Sequence, residues 1–442
     1  MADDGYQRTI GKAKPSSTDF MEVGVSGLVQ YGGKVQEDFL RQLQGRQGVA
    51  NYREMADNDP VVGAILHSVE MLIRGVDWSV DASDVNDEQA VAYASFVAEC
   101  MQDMSESWSD TLSAILSFLT YGFSVHEIVY KRRQGEHGDA PSKFNDGLIG
   151  WKKLPIRGQS TIYDWDIDAN GGINGCTQEQ FLGDTFGKND VFIPIEKMLL
   201  FRTTTKMNNP RGKSVLRNAF IPWYFKAKIQ EIEAIGIERD LAGMPVAYVP
   251  PQLLSDNATQ AESSALNAIK ELVRNIKRDE QEGIVFPLAY DPDTGNPAYD
   301  LKLLSTGGRR QFDTNAIIER YDNRIAMALL ADFILLGHQQ TGTQALSVSK
   351  IQLFLDSLSA WLEGIAGVFN QHGIPRLLRL NGMDTSKMPQ LNFTAPDNVN
   401  LGELGTFIQQ LAQSGAPLFP DIQLEDYLRD AAGLPRSEAE EV

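Results

Sequence analysis

Apolar side chains in the stretch "DNDPVVGAILHSVEMLIRGVDWSV" fall at Val61, Ile65, Val69, Leu72 and Ile73. Steps of three and four residues put them on one helical face. Pro60 suits the first turn, where a missing N–H has no partner to lose. The pattern predicts an amphipathic helix running into a short strand at Trp78 to Val80. Helices are also expected over "NDEQAVAYASFVAECMQDM" and "SWSDTLSAILSFLTYGF", the second capped by Ser109 or Asp110. After Gly122 the period falls to two: Val125, Glu127 and Val129 alternate with His126, Ile128 and Tyr130. That alternation predicts a strand. More strands are expected at Ile149 to Ile156, Thr161 to Ile167, Gly172 to Thr177 and Lys197 to Arg202, separated by Gly, Asn and Asp turns. The residues before Tyr52, rich in Gly, Gln and Ser, show no sustained apolar period and read as an arm that orders on a partner.

The second half changes character. "SVLRNAFIPWYFKAKIQEIEAIGIERDLAG" supports one helix of nearly thirty residues from Ser214, about 40 Å at 1.5 Å per residue, with a bend expected at Pro222. A small strand, helix, strand, strand module follows in "MPVAYVP", "NATQAESSALNAIKELVRNIKRDE", "GIVFPLAY" and "AYDLKLLS". Another helix is expected from a cap at Asp313 or Thr314 through "NAIIERYDNRIAMALLADFILL". A further helix should start near Ser347 or Ser349, with Ile351, Phe354, Leu358, Trp361, Leu362, Ile365 and Phe369 on one face. "MPQLNFTAP" reads as a late strand, and "NLGELGTFIQQLAQSG" and "DIQLEDYLRDAAGLP" as two short closing helices. The fold class is α+β and predominantly helical. Two long helices bracket a small module, and "LLGHQQTGTQALS" then links two apolar helical stretches without one formally charged side chain.

Composition narrows the classes. A chain of 442 residues is expected to divide into two to four substructures. Forty Lys plus Arg against 59 Asp plus Glu leave a formal charge of -19, so contact with a polyanion must be local rather than spread over the surface. Only Cys100 and Cys176 occur, which excludes a disulfide scaffold and a cysteine zinc site and fits a reducing compartment. No signal peptide opens the chain, and runs such as "SAILSFLTYGFSV" fall short of the roughly 20 residues of a membrane span, so no membrane partner is expected.

Candidate chemistry is thin. "RGKS" at Arg211 to Ser214 ends like a P-loop, but Met207 stands where the first glycine belongs, and Pro210 lies where amides would have to face phosphate. A structural turn is the better reading. "DIDANGG", Asp166 to Gly172, resembles half a calcium loop, but position twelve is Thr177 instead of Glu, which favours an Asn-Gly hairpin. His67, His126, His137, His338 and His372 share no ligand spacing. His126 and Glu127, adjacent on a strand, point to opposite faces and cannot form a local catalytic pair. Cys176 lacks a flanking cation and reads as packed. No catalytic residue, metal site or cofactor is called.

In order and spacing, several segments resemble the portal proteins of tailed bacteriophages, above all the Mu-like branch. They are "DPVVGAILHSVEMLIRGVDWSV", "LTYGFSVHEIVYKRR", "NPRGKSVLRNAFIPWYFKAKIQEIEAIGIERDLAGMPVAYVP" and "LAQSGAPLFPDIQLEDYLRDAAGLP", and the resemblance spans roughly Asp57 to Pro435. It implies a portal fold with wing, stem, clip and crown, and a dodecameric ring at one capsid vertex. Double-stranded DNA would be packed through that ring by a separate terminase, without sequence specificity, and later ejected. Further partners implied are the head-to-tail adaptor and the major capsid and scaffolding proteins. The location would be the virion, after assembly in the bacterial host cytoplasm, and the portal itself would not be an enzyme. Carried onto this chain, residues 1–51 would be a flexible arm, 52–208 the wing, 209–242 the first stem helix and 243–306 the clip. Residues 307–336 would be the second stem helix, 337–347 the tunnel loop, 348–398 wing, tunnel helix and return strand, and 399–442 a crown shorter than in larger relatives.

Under that resemblance His338, Gln339, Gln340, Thr341, Thr343 and Gln344 would touch DNA at the narrowest part of the channel. Uncharged donors exchange hydrogen bonds with phosphate and water, whereas a ring of Lys or Arg would bind a sliding polyanion tightly. Glu231, Glu233, Glu238, Asp240, Glu319 and Asp322 on the stem helices would line the channel, or else be solvated and pairing groups such as Glu231 with Lys228. Arg309 and Arg310 would touch phosphate or pair with a neighbouring carboxylate. Two other classes stay open at this point: another virion component such as an adaptor or tail protein, and an enzyme using the Gly212 to Ser214 turn for a nucleotide.

Overall fold

The computed structural model describes residues 24, 26–28, 30–31, 34–35, 38–136, 140–180, 189–242, 244–255, 259–275, 290, 300–304, 313–331 and 344–394. Its contacts separate two compact units: residues 1–217 with 328–442, and Asn218–Met327 as one contiguous insert.

The first unit opens with the short antiparallel pair β1 (Gln30–Tyr31) and β2 (Lys34–Val35). Helix α1 (Gly45–Asn58) follows, burying Val49, Tyr52 and Met55 at three-residue steps. The expectation of an arm through residue 51 is therefore corrected. Arg46 pairs with Glu179 and Arg217 Nε lies 2.6 Å from Asp38, so partners more than a hundred residues away hold this segment. Helix α2 (Pro60–Arg74) starts as the pattern predicts, with Asp59 Oδ1 accepting the N–H groups of Val61 and Val62 at 3.0 and 3.1 Å. Strand β3 (Trp78–Asp81) and helices α3 (Glu88–Gln102) and α4 (Trp108–Tyr121) come next. The α4 cap is Ser107, earlier than expected: its Oγ accepts the Asp110 N–H at 3.0 Å and donates to the Asp110 carboxylate at 2.6 Å, a reciprocal box that Ser109 cannot make.

The alternating stretch after Gly122 is two strands, β4 (Phe123–Glu127) and β5 (Val129–Arg132). Strand β5 pairs with β6 (Ile149–Lys153), while β4 lies between β7 (Ile156–Arg157) and β11 (Met198–Arg202), all antiparallel. A third sheet has the order β10 (Asn189–Pro194), β9 (Ile173–Gln180), β8 (Ile162–Ile167). Phe123, Val125, Ile162, Trp165, Cys176, Ile193, Met198 and Leu200 pack between these sheets.

The insert begins with α5 (Phe220–Ala242), 23 residues or about 35 Å. It starts six residues later than expected, so Pro222 sits in the first turn and forces no bend. Strand β12 (Met244–Tyr248) pairs antiparallel with β13 (Asp300–Leu304), and α6 (Gln260–Asn275) comes between them in sequence. "GIVFPLAY" lies outside the described residues except for Tyr290. Helix α7 (Thr314–Ala328) has Asp313 as its cap, its Oδ1 accepting the Ala316 N–H at 3.2 Å.

The chain returns to the first unit in α8 (Gln344–Val368), a π-helical turn at Phe369–Gly373, and α9 (Ile374–Leu380). Helix α8 starts at Gln344, so the expected loop of 337–347 is shorter by its last four residues; Ala345 and Leu346 are strong helix formers. Pro375 has no N–H to close an α-turn on Gln371, and the wider turn precedes it. Phe369 is the hub of the core here, with ring centroids 5.2 Å from Trp108, 5.7 Å from Phe201 and 6.0 Å from Trp151. Strand β14 (Gln390–Phe393) ends the described chain by pairing with β3, Trp78 opposite Phe393. The two expected closing helices and the whole of 399–442 lie outside the described residues.

Candidate channel and assembly surface

Within the insert, α5 and α7 are joined through one face of α5. Lys226 is buried and its Nζ lies 2.5 Å from Asp322 Oδ1; seven residues on, Glu233 accepts a hydrogen bond from the Thr314 hydroxyl. Both acidic groups are thus engaged between the helices, the pairing alternative read from the sequence. Ile221, Tyr224, Phe225, Ile232 and Ile235 recur at three-, four- and seven-residue steps along another face, and all are exposed, Ile232 to 68%. An isolated soluble subunit seldom leaves such a stripe bare.

Of the other proposed channel residues, Glu231 and Glu319 have described side chains, and both are exposed. Glu231 accepts from Lys228 Nζ at 2.8 Å, a bond that holds its carboxyl below the usual carboxylate range. Glu238 and Asp240 lie in the last turns of α5, but their side chains are outside the described residues. Arg309, Arg310, His338, Gln339, Gln340, Thr341 and Thr343 lie outside them altogether, and so does the side chain of Gln344.

The segment that ends like a P-loop is spent on structure. Gly122, at φ 92°, ends α4, and a Cβ there would stand 2.5 Å from the Arg211 carbonyl oxygen; Gly212, at φ 54°, would meet the Gly122 oxygen at 2.2 Å. Thr203 Oγ1 accepts the Lys213 N–H at 3.0 Å, Ser214 Oγ donates to the Thr120 carbonyl at 2.5 Å, and it accepts the Leu216 N–H at 3.0 Å. The Arg211, Gly212 and Lys213 N–H groups are thus spent on Asn209 and Thr203. In the half calcium loop, Asp168 Oδ1 accepts the N–H groups of Asn170 and Gly172 at 2.9 and 2.7 Å, closing a hairpin between β8 and β9. That hairpin turns over Asp168 to Gly172, wider than a two-residue Asn-Gly turn.

Burial governs the remaining candidates. It pushes the Cys176 thiol up to about 12 and the Cys100 thiol to about 11. His126 is buried, its Nδ1 2.8 Å from the Leu154 carbonyl oxygen, and burial lowers it to about 4 despite that bond. Glu127 turns the other way and pairs with Arg157. Among the described residues no group of three His, Cys, Asp or Glu could hold a metal ion, and no helix is long and apolar enough to cross a membrane. Sequence reasoning missed Arg376, whose Nη1 donates to the Met198 carbonyl oxygen of β11 at 2.7 Å, because no local period connects the two.

No curated protein sequence matches this chain. Among solved structures, a chain in the neck of an empty gene transfer agent particle computed with C6 symmetry superposes with TM-score 0.49 and 13% identity, over 88% of this chain and 94% of that one. A chain in the neck of the native particle, computed with C12 symmetry, gives 0.46 and 13% over the same shares. The crystal structure of a HK97 family phage portal protein from Corynebacterium diphtheriae gives 0.40 and 13%, over 78% of this chain and 95% of that one. The family model described as the portal protein of Mu bacteriophage matches residues 49–434, from inside α1 through both units and beyond the last described strand. A match of that extent decides the family on sequence alone: the chain belongs to the Mu portal proteins.

Proposed function

We propose that this chain assembles into a closed ring at one vertex of a phage capsid and forms the channel through which double-stranded DNA enters and leaves the particle. The match to Mu portal proteins over 49–434 carries the reading. The bare stripe on α5 supports assembly, since a second copy of the chain is the partner a ring supplies to every subunit. Twelve subunits are the expected number, with terminase and then a head-to-tail adaptor docking on the insert, and major capsid and scaffolding proteins around the first unit. The subunit's role is structural rather than catalytic, a reading supported by the Gly212 and Lys213 N–H groups being bonded to Asn209 and Thr203. Arg309, Arg310, Glu231, Glu238 and Glu319 would face DNA or neighbouring subunits, and His338 to Gln344 the narrowest part of the passage. Electron microscopy of the purified full-length chain tests the reading: rings with a central channel are expected, and a persistent monomer under all assembly conditions would overturn it.

A further inference from the structure

Helices α5 and α7 run antiparallel within the insert, and two contacts fix their register: Lys226 lies level with Asp322, and Glu233 level with Thr314. Equal heights are therefore shared by Ile221 and Met327, by Tyr224 and Arg324, and by Ile232 and Ala316. A helix turns by about 100° per residue. Lys226 and Glu233 thus share the face of α5 that meets α7, and the exposed stripe of Ile221, Tyr224, Phe225, Ile232 and Ile235 lies on average roughly 130° round from it. On α7 the exposed positions Ala316, Arg320, Arg324 and Met327 follow at four-, four- and three-residue steps, nearly opposite Asp322. The helix pair so presents two different faces on its two outer flanks.

The two flanks are complementary. Arg320 and Arg324 lie 5.4 and 5.8 Å from the ring centroid of Tyr321, and among the described residues neither has a carboxylate within ion-pair distance. On the α5 flank, Tyr224 and Phe225 hold their ring centroids 5.7 Å apart at the height of Arg324, and aromatic faces attract a guanidinium. Ile232 stands level with Ala316, a large side chain against a small one, and Ile221 with Met327, two apolar ones. Lys228 and Arg320, also level, would repel, but Lys228 donates to Glu231 at 2.8 Å, and that carboxylate stands within one turn of the height of Arg320 as well.

Symmetry decides which surface of a second copy can cover the stripe. An isologous contact sets stripe against stripe and stops at a dimer, whereas a ring needs two different surfaces on every subunit. A ring axis that runs along the helices keeps equal heights level, so the two flanks of successive pairs meet in register. Were α5 and α7 stacked radially instead, the stripe would line the channel or the outer wall, and its large apolar side chains would stand in water in either place.

We propose that the apolar flank of α5 in one subunit packs on the Ala316 to Met327 flank of α7 in the next, with Ile232 over Ala316 and Arg324 against Tyr224 and Phe225. This pairing rests on the ring reading above and names the surface that covers the stripe.

Paired cysteines test it in the full-length protein, where Cys100 and Cys176 are buried and do not compete. Within one subunit, positions 232 and 316 face away from each other on helices packed roughly 8–10 Å apart, beyond the reach of a bridge whose Cα atoms must come within about 7 Å. Ile232→Cys/Ala316→Cys and, as a second pair, Ile221→Cys/Met327→Cys are oxidised with diamide and resolved on non-reducing gels. Each pair should give a ladder of covalent multimers from the dimer upward, while each single substitution runs as a monomer. Efficient dimers from Ile232→Cys alone would mean that stripe meets stripe and would overturn the pairing. Rings in the electron microscope with no ladder from either pair sink the pairing and leave the ring reading standing. A ladder without rings keeps the pairing and removes closure, and neither ladder nor rings overturns both.

Discussion

His126 shows how one position in an alternating stretch acquires its chemistry. Alternation turns it away from Glu127, and the strand that carries it lies between β7 and β11, where the ring is fully buried. A group that titrates near 4 when folded and near 6.5 when unfolded binds no proton in the native state across that window, whereas the unfolded chain does. The stability it contributes is complete above about pH 6.5 and is lost as pH falls toward 4, by about 1.4 kcal/mol per pH unit and on the order of 3 kcal/mol in all. Chemical unfolding at pH 7 and pH 5 should therefore show a larger drop in midpoint for the wild type than for His126→Phe. Equal drops in the two proteins would show that His126 does not titrate in this range. The alternation was legible in the sequence, but the depth of burial was not, because it depends on Leu154 and Phe201 from elsewhere in the chain.

At the scale of elements, periodicity named most helices correctly and misplaced their ends. Helix α5 reads as a long helix from its composition, yet its start is set by Ser214, whose hydroxyl is held by Thr120 and which begins a short turn before Phe220. The N-terminal segment shows the opposite error. Val49, Tyr52 and Met55 are spaced for a helix, but the glycines and glutamines around them mask the period, and the partners that hold the segment are residue 179 for Arg46 of α1 and residue 217 for Asp38 ahead of it. The bare stripe of α5 has its own consequence. Burying an isoleucine there against a neighbouring subunit stabilises the contact by about 1.5–3 kcal/mol, while the same side chain contributes little to the isolated subunit. Ile232→Asp should thus abolish or weaken ring assembly in light scattering while leaving thermal unfolding of the subunit nearly unchanged. Intact rings would place the subunit contact on some other face.

The whole molecule is a first unit interrupted by a contiguous insert, Asn218–Met327, in which α5 and α7 stand at either end of the sequence that holds β12, α6 and β13. Its second expected boundary falls in residues 332–343, outside the described part, so the role of the uncharged loop is a matter for experiment. Deleting Gln339 to Thr343 spares Gln344, the first residue of α8. Rings of this variant should assemble in normal yield but package or retain less DNA in an assay with terminase and proheads. Unchanged packaging and retention would remove the loop from the channel.

Several features were determined by the sequence alone: the helix-rich α+β class, the absence of a P-loop pattern, and the membership of the Mu portal family. Each depends on local spacing or on ordered segments, which a single chain displays directly. Only the tertiary structure decided which side chains share a surface. It pairs β3 with β14 across three hundred residues, commits Glu233 and Asp322 to the contact between α5 and α7, and sets Arg376 on the Met198 carbonyl oxygen of β11. Charge and burial are sums over neighbours in space, and those neighbours come from parts of the chain that no local period connects.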